Sequence, residues 1–229
     1  MFYYDWTMIL LIPGLLLGLW AQFRVKSAYA QWSQVSTGLP AAQVVVERLL
    51  NQRTAAPVAI EHVAGELTDH YNPATNTLRL SDGVYGSTSV SALGIAAHEA
   101  GHALQQAEGY GPLQLRNVAV PVVNIGSQAA FPLFFLGLMF SFDPLLYIGI
   151  AAFALSVFFS LITLPVEFDA SRRAIAMLQD GGYMTGETER GVKAVLRAAA
   201  MTYVAAAVSA MLNLLRLLII ADRQRSRRR

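Results

Sequence analysis

Residues 118–174 read VAVPVVNIGSQAAFPLFFLGLMFSFDPLLYIGIAAFALSVFFSLITLPVEFDASRRA. They hold two uncharged apolar runs, 118–142 and 145–166, separated only by Asp143 and Pro144. Each run reaches the roughly 20 apolar residues that a helix needs to cross a bilayer, and so short a break makes the pair a membrane hairpin. The second run ends on two carboxylates, Glu167 and Asp169.

Upstream, residues 6–23 (WTMILLIPGLLLGLWAQF) carry no charge. They are closed by Arg24 and Lys26, with Trp6 and Trp20 near the ends, where amphipathic rings favour the interface. A signal peptide would place its basic residues before the apolar run and small residues after it, so 1–23 reads as an uncleaved transmembrane anchor. A fourth apolar segment, 198–221, is long enough to span although Asn213 and Arg216 lie inside it. Composition agrees, with 55% apolar and 14% charged residues against about 25% charged in average soluble domains. A net charge of +2 is too small to point to nucleic acid, and residues 216–229 alone hold six arginines. That basic tail, 222–229 at its densest, reads as a solvated end or a contact with anionic headgroups. Without cysteine, disulfides and thiolate metal sites are excluded, and any metal must be held by His and carboxylate.

Between the anchor and the hairpin, residues 24–116 have mixed composition. AAQVVVERLLN (41–51) has the spacing of a short amphipathic helix. PVAIEHV (57–63), ELTDHY (66–71) and NTLRLS (76–81) are short, rich in strand formers and broken by Gly65 and the NPATN turn, which predicts a small antiparallel sheet. From Ser89 the pattern turns helical over about 89–108, with Ser89 or Ser91 as cap and Gly109 as stop. The expected architecture is a mainly α integral membrane protein with about four membrane helices and this small sheet. Its parts are the anchor, the α+β region 24–116, the hairpin 117–166, a helix carrying Glu167 with a connecting segment over 167–197, the fourth helix 198–221 and the tail.

Basic residues set the orientation. Arg24, Lys26 and Arg116 flank the first polar region and Arg172, Arg173, Lys193 and Arg197 follow the third span, whereas the Asp143 turn has none, so both polar regions are expected at the cytoplasmic face. A fourth full span would put the arginine-rich tail outside. Either the last helix is tilted or half-embedded, or the three earlier spans outweigh the tail.

The helix at 89–108 carries HEAGH at 98–102. Positions i and i+4 share a helix face, so His98 and His102 can present two imidazoles to one metal ion, while Glu99 points to one side, toward a water. That arrangement suits zinc hydrolysis: zinc acidifies a water to a pKa near about 7, and a carboxylate takes its proton and returns it to the leaving amine. The competing reading, two histidines packed on an ordinary helix, is disfavoured by the small uncharged flanks that a buried metal helix requires. A catalytic zinc takes three protein ligands, and positions 105 and 108, Gln and Glu, supply no third histidine. Asp143 lies in the opposite turn, so the expected third ligand is Glu167, at the cytoplasmic end of the third span.

HEAGH followed by a two-helix membrane hairpin and then LPVEFDASRRA (164–174) resembles the bacterial membrane-bound neutral zinc metallopeptidases and, more widely, the heat-shock membrane protease and CAAX prenyl protease group of gluzincins. The likeness extends to WAQFRVK (20–26), SDGVYGSTSVSALGIAAHEAGHALQ (81–105), PVVN (121–124) and AAAMTYVAAAVSAMLNLLRL (198–217). It implies a gluzincin-like core with one zinc ion on His98, His102 and Glu167 and with Glu99 as general base. The wider group has Glu-x-x-x-Asp, whose Asp supports a ligand histidine. Position 171 is Ser here, so Asp169 or Ser171 is left for that task. Such peptidases bind substrate as an added strand, which fits NTLRLS or ELTDHY. For the oxyanion, His70, Tyr203, Arg172 or Arg173 could donate.

These readings lead to a zinc-dependent endopeptidase in the cytoplasmic membrane, acting on membrane proteins or peptides near the cytoplasmic face. The alternative from another class is a catalytically silent zinc-binding scaffold, for which a base beside the metal would be idle. Metal transport would want more polar ligands within the spans than Asn124, Gln128, Asn213 and Arg216.

Overall fold

A computed structural model of the chain describes residues 5–226, so 1–4 of the expected anchor and 227–229 of the tail fall outside it. A short 3-10 turn, Trp6–Leu11, leads into α1 (Ile12–Ser33). Next come α2 (Ala42–Asn51), β1 (Ala59–His62), β2 (His70–Asn72), β3 (Thr77–Leu80) and α3 (Val90–Ala107). Three long helices complete the chain: α4 (Gly111–Met139), α5 (Asp143–Asp180) and α6 (Gly186–Ser226). The first turn with α1, and α4, α5 and α6, are each long and apolar enough to cross a membrane. The chain divides into an apolar unit (1–21, 115–164, 202–229) and a site-bearing unit (22–114, 165–201).

In the apolar unit, large side chains such as Leu15, Ile125, Phe135 and Leu218 are exposed, as lipid-facing surfaces require. Without a hydrophobic drive between helices in lipid, close backbone approach at small residues supplies the packing. A Cβ placed on Gly149 of α5 would lie 2.8 Å from the Ala130 carbonyl oxygen of α4, and one on Gly14 would lie 2.7 Å from Ser209 Oγ of α6. The hairpin closes through Phe140, Ser141 and Phe142, with the Phe142 amide donating to the Gly137 carbonyl at 2.9 Å. Arg216, the cation inside the fourth apolar segment, donates to Asp5 Oδ2 at 2.7 Å and to Thr7 Oγ1 at 3.3 Å. Its charge is thereby neutralised within an apolar segment.

In the site-bearing unit, α3 is the organising element. Ser89 caps it by accepting from the Ala92 amide at 3.2 Å, and Gly109, at φ 67°, lies just beyond its end. Its buried Leu93, Ala96, Ala97, Ala100 and Leu104 pack with Val45, Val46, Leu49 and Leu50 of α2, Leu78 and Leu80 of β3, and Ala174, Met177 and Leu178 of α5. The three strands run in the order β1-β3-β2. β2 and β3 form the expected antiparallel hairpin, but β1 pairs with β3 in parallel, from Ala59 beside Thr77 to His62 beside Leu80. The small sheet is therefore mixed rather than wholly antiparallel. The β1-to-β3 connection is residues 63–76, which contain β2, and it has the dozen or more residues that a parallel crossover needs.

Candidate metal and catalytic site

Three side chains converge. The donor atoms of His98 and His102 on α3 and of Glu167 on α5 all lie within 4.8 Å of one another, a group able to hold a metal ion. Glu167 Oε2 is 3.1 Å from His98 Nε2 and 3.7 Å from His102 Nε2. The rings stand nearly perpendicular, at 83°, with centroids 4.9 Å apart. The i, i+4 spacing puts the imidazoles on one face of α3, and Gly101 between them lets α5 come close. A Cβ there would lie 3.1 Å from Ala170 Cα and nearer still to the Ala170 carbonyl oxygen. The donor set of two imidazoles and one carboxylate suits zinc, and Glu167 is almost fully buried. A carboxylate is not held there uncompensated, and a dication is an apt partner.

Both Nε2 atoms face Glu167, and both Nδ1 atoms have partners of their own. His98 Nδ1 lies 3.1 Å from Ser171 Oγ. His102 Nδ1 lies 2.9 Å from Gln105 Oε1, and Gln105 Nε2 donates to Asp169 Oδ2 at 2.9 Å and to the Val166 carbonyl at 2.8 Å. Burial alone would push the His102 imidazolium down, but the carboxylates of Glu167 and Glu99 outweigh it and hold its pKa above the ordinary value. Asp169 is tied further to Arg172 and, at 2.5 Å, to Arg173, which reaches Glu108 at 2.6 Å. Asp169 and Ser171 thus both lie behind the triad, on different histidines. Gln105 was missed by sequence reasoning. Its signal is its place three residues after His102, the spacing of neighbours on one helix face.

Glu99 stands apart from the triad, and its Oε2 accepts from the Tyr71 amide of β2 at 3.0 Å. That amide points away from β3, so the free edge of β2 borders the motif helix. β3 is paired on both sides, which removes NTLRLS as an edge for an incoming strand and leaves ELTDHY. Among the residues considered for the oxyanion, Arg172 and Arg173 are engaged by Asp169. His70 opens β2, exposed, with Nδ1 2.9 Å from the Thr68 carbonyl. Tyr203 lies on α6 in the apolar unit.

Comparison with known proteins matches residues 7–222 to the family described as "Putative neutral zinc metallopeptidase". Over 213 residues, 92% of this chain and 94% of the relative, the sequence is 46% identical to the "Putative membrane protease YugP" of Bacillus subtilis (strain 168). No solved structure matches.

Proposed function

Since this chain belongs to the neutral zinc metallopeptidase family, we propose that it is a membrane-embedded endopeptidase cutting membrane proteins or peptides beside the cytoplasmic face, with Glu99 as its general base. The observation that carries the reading is the pairing of a compact His98–His102–Glu167 donor group with a carboxylate one position along the helix that is left out of it. His98, His102 and Glu167 would hold a zinc ion, which would supply Lewis acidity toward the scissile carbonyl and toward water.

The remaining work belongs to the chain. Glu99 takes the proton of the attacking water and hands it to the leaving amine, a role worth roughly 10²–10⁴ in rate. Its bond to the Tyr71 amide ties the carboxylate to the edge of β2. A substrate strand replacing that contact beside β2 would bring its scissile bond toward Glu99. His70 and Tyr203 remain the candidates for the oxyanion donor. Placement at the cytoplasmic face rests on the basic residues flanking both segments of the site-bearing unit, and substrates at the membrane surface follow from it.

Glu99→Gln tests the mechanism. The variant should keep stoichiometric zinc and lose hydrolysis of a membrane-anchored peptide reporter. Undiminished hydrolysis would sink the general-base assignment. Protease access to residues 24–116 in inside-out but not right-side-out vesicles checks the side of the membrane.

A further inference from the structure

The two ligand histidines are supported unequally. Gln105 is fully buried, and its Nε2 faces two groups that only accept, the Val166 carbonyl at 2.8 Å and the Asp169 carboxylate at 2.9 Å. Turning the amide over would set Oε1 against both, lone pair against lone pair, so its orientation is forced. Oε1 is then the atom that meets His102 Nδ1 at 2.9 Å. An amide oxygen only accepts, hence Nδ1 must carry the proton, which leaves Nε2 as the nitrogen that can give its lone pair to a metal. His98 has a different neighbour: the Ser171 hydroxyl, 3.1 Å from Nδ1, donates or accepts equally well and imposes no tautomer.

We infer that Gln105, anchored by Asp169 and Val166, is a positioning residue that fixes His102 in the Nδ1–H tautomer with Nε2 aimed at the metal. His98, whose Nε2 meets the acceptor-only Glu167 carboxylate at 3.1 Å, is held as Nε2–H without metal and must move that proton, with Ser171 able to donate or accept at Nδ1, before it can be a ligand. The chain of contacts continues outward from Asp169 through Arg173 to Glu108 near the end of α3, so His102 is the ligand built into the protein frame. The inference rests on the zinc reading of this site, and its consequence is that one ligand is preset and the other follows.

The test uses the full-length protein in detergent, loaded with zinc and labelled with ¹⁵N in its imidazoles. With four histidines in the chain, His102 is identified by the signal lost in His102→Gln. The expected spectrum has a His102 Nδ1 proton protected from exchange. Gln105→Met keeps the length and removes the acceptor, so that proton should exchange freely. Zinc affinity, read by chelator competition, should weaken about 10–100-fold. Ser171→Ala should leave the His102 signal intact and weaken zinc less. A protected His102 proton in Gln105→Met, or a zinc loss there no greater than in Ser171→Ala, overturns the assignment. Should Gln105→Met fail to fold, Asp169→Asn, which removes the charge anchoring the amide, must still speed exchange of that proton, and an unchanged rate overturns it too. Zinc binding with a protected proton but no peptide hydrolysis in the unsubstituted protein would defeat the peptidase reading and leave the role of Gln105 standing.

Discussion

Two groups of charge away from bulk water show how differently this chain handles polarity. In the site-bearing unit, His98, His102, Glu167, Gln105, Asp169 and Arg173 form one connected network in which each member has a partner. In the apolar unit, Arg216 meets one acid and one hydroxyl, while Asn213 Oδ1 and Ser156 Oγ are buried with no partner among the described residues. A network fixes geometry, because moving any member unsatisfies its neighbours. A lone pair only cancels a charge. The first is what a metal site needs; the second is enough to keep an arginine in an apolar helix.

Several substitutions would break that contrast, and the largest effect is expected inside the network. Glu167→Ala should abolish stoichiometric zinc and with it hydrolysis, whereas Asp169→Ala, one step removed, should lower zinc content less. Metal analysis of the purified variants decides, and the reverse order would overturn the ligand assignment. Removing zinc with a chelator should lower the thermal midpoint of the parent protein, by about 2.7 kcal/mol of stability where free zinc had stood at 100 times its Kd, and should leave that of Glu167→Ala unmoved. Gly101→Ala comes next: its methyl group meets the α5 backbone at Ala170, and overpacking of this kind costs about 1–3 kcal/mol. A denaturation midpoint combined with zinc titration should show both stability and affinity falling. Arg216→Leu leaves Asp5 without its cation beside an apolar span, so a loss of stability should follow, read as a lower thermal midpoint. Much of it should return in Arg216→Leu with Asp5→Asn, read as a double-mutant cycle. Smallest should be Arg53→Ala, whose Asp180 partner is 65% exposed, with a change under about 0.5 kcal/mol.

Much of the site was legible because its parts are local or topological. HEAGH declares itself by helical spacing, and Glu167 follows from a hairpin that returns the chain to the same face. The parallel placement of β1 was not legible, since periodicity within a strand marks its faces and says nothing of the direction of its neighbour. Nor was the Arg216–Asp5 pair, whose members stand 211 positions apart. Gln105 escaped for a third reason. Read along α3 alone it is a polar residue in an apolar run, and its meaning depends on the rotation of α5, which brings the Asp169 carboxylate and the Val166 carbonyl to its amide. The close contact of Gly101 with Ala170 sets that rotation, so the residue that looks like the least specific letter of the motif positions the rest.

The brevity of β2 has a consequence for selectivity. In an antiparallel ladder the amide and carbonyl of one residue face the same side, so a strand of three residues, His70–Asn72, has a single outward pair, that of Tyr71, and its amide is already taken by Glu99. On the proposal that a polypeptide docks beside β2, it would find the Tyr71 carbonyl, and the amide only once Glu99 lets go, so the edge alone would hold it weakly. Selection would then fall to side-chain contacts and to where a chain segment is presented, and for an enzyme held in a membrane, address would count beside sequence.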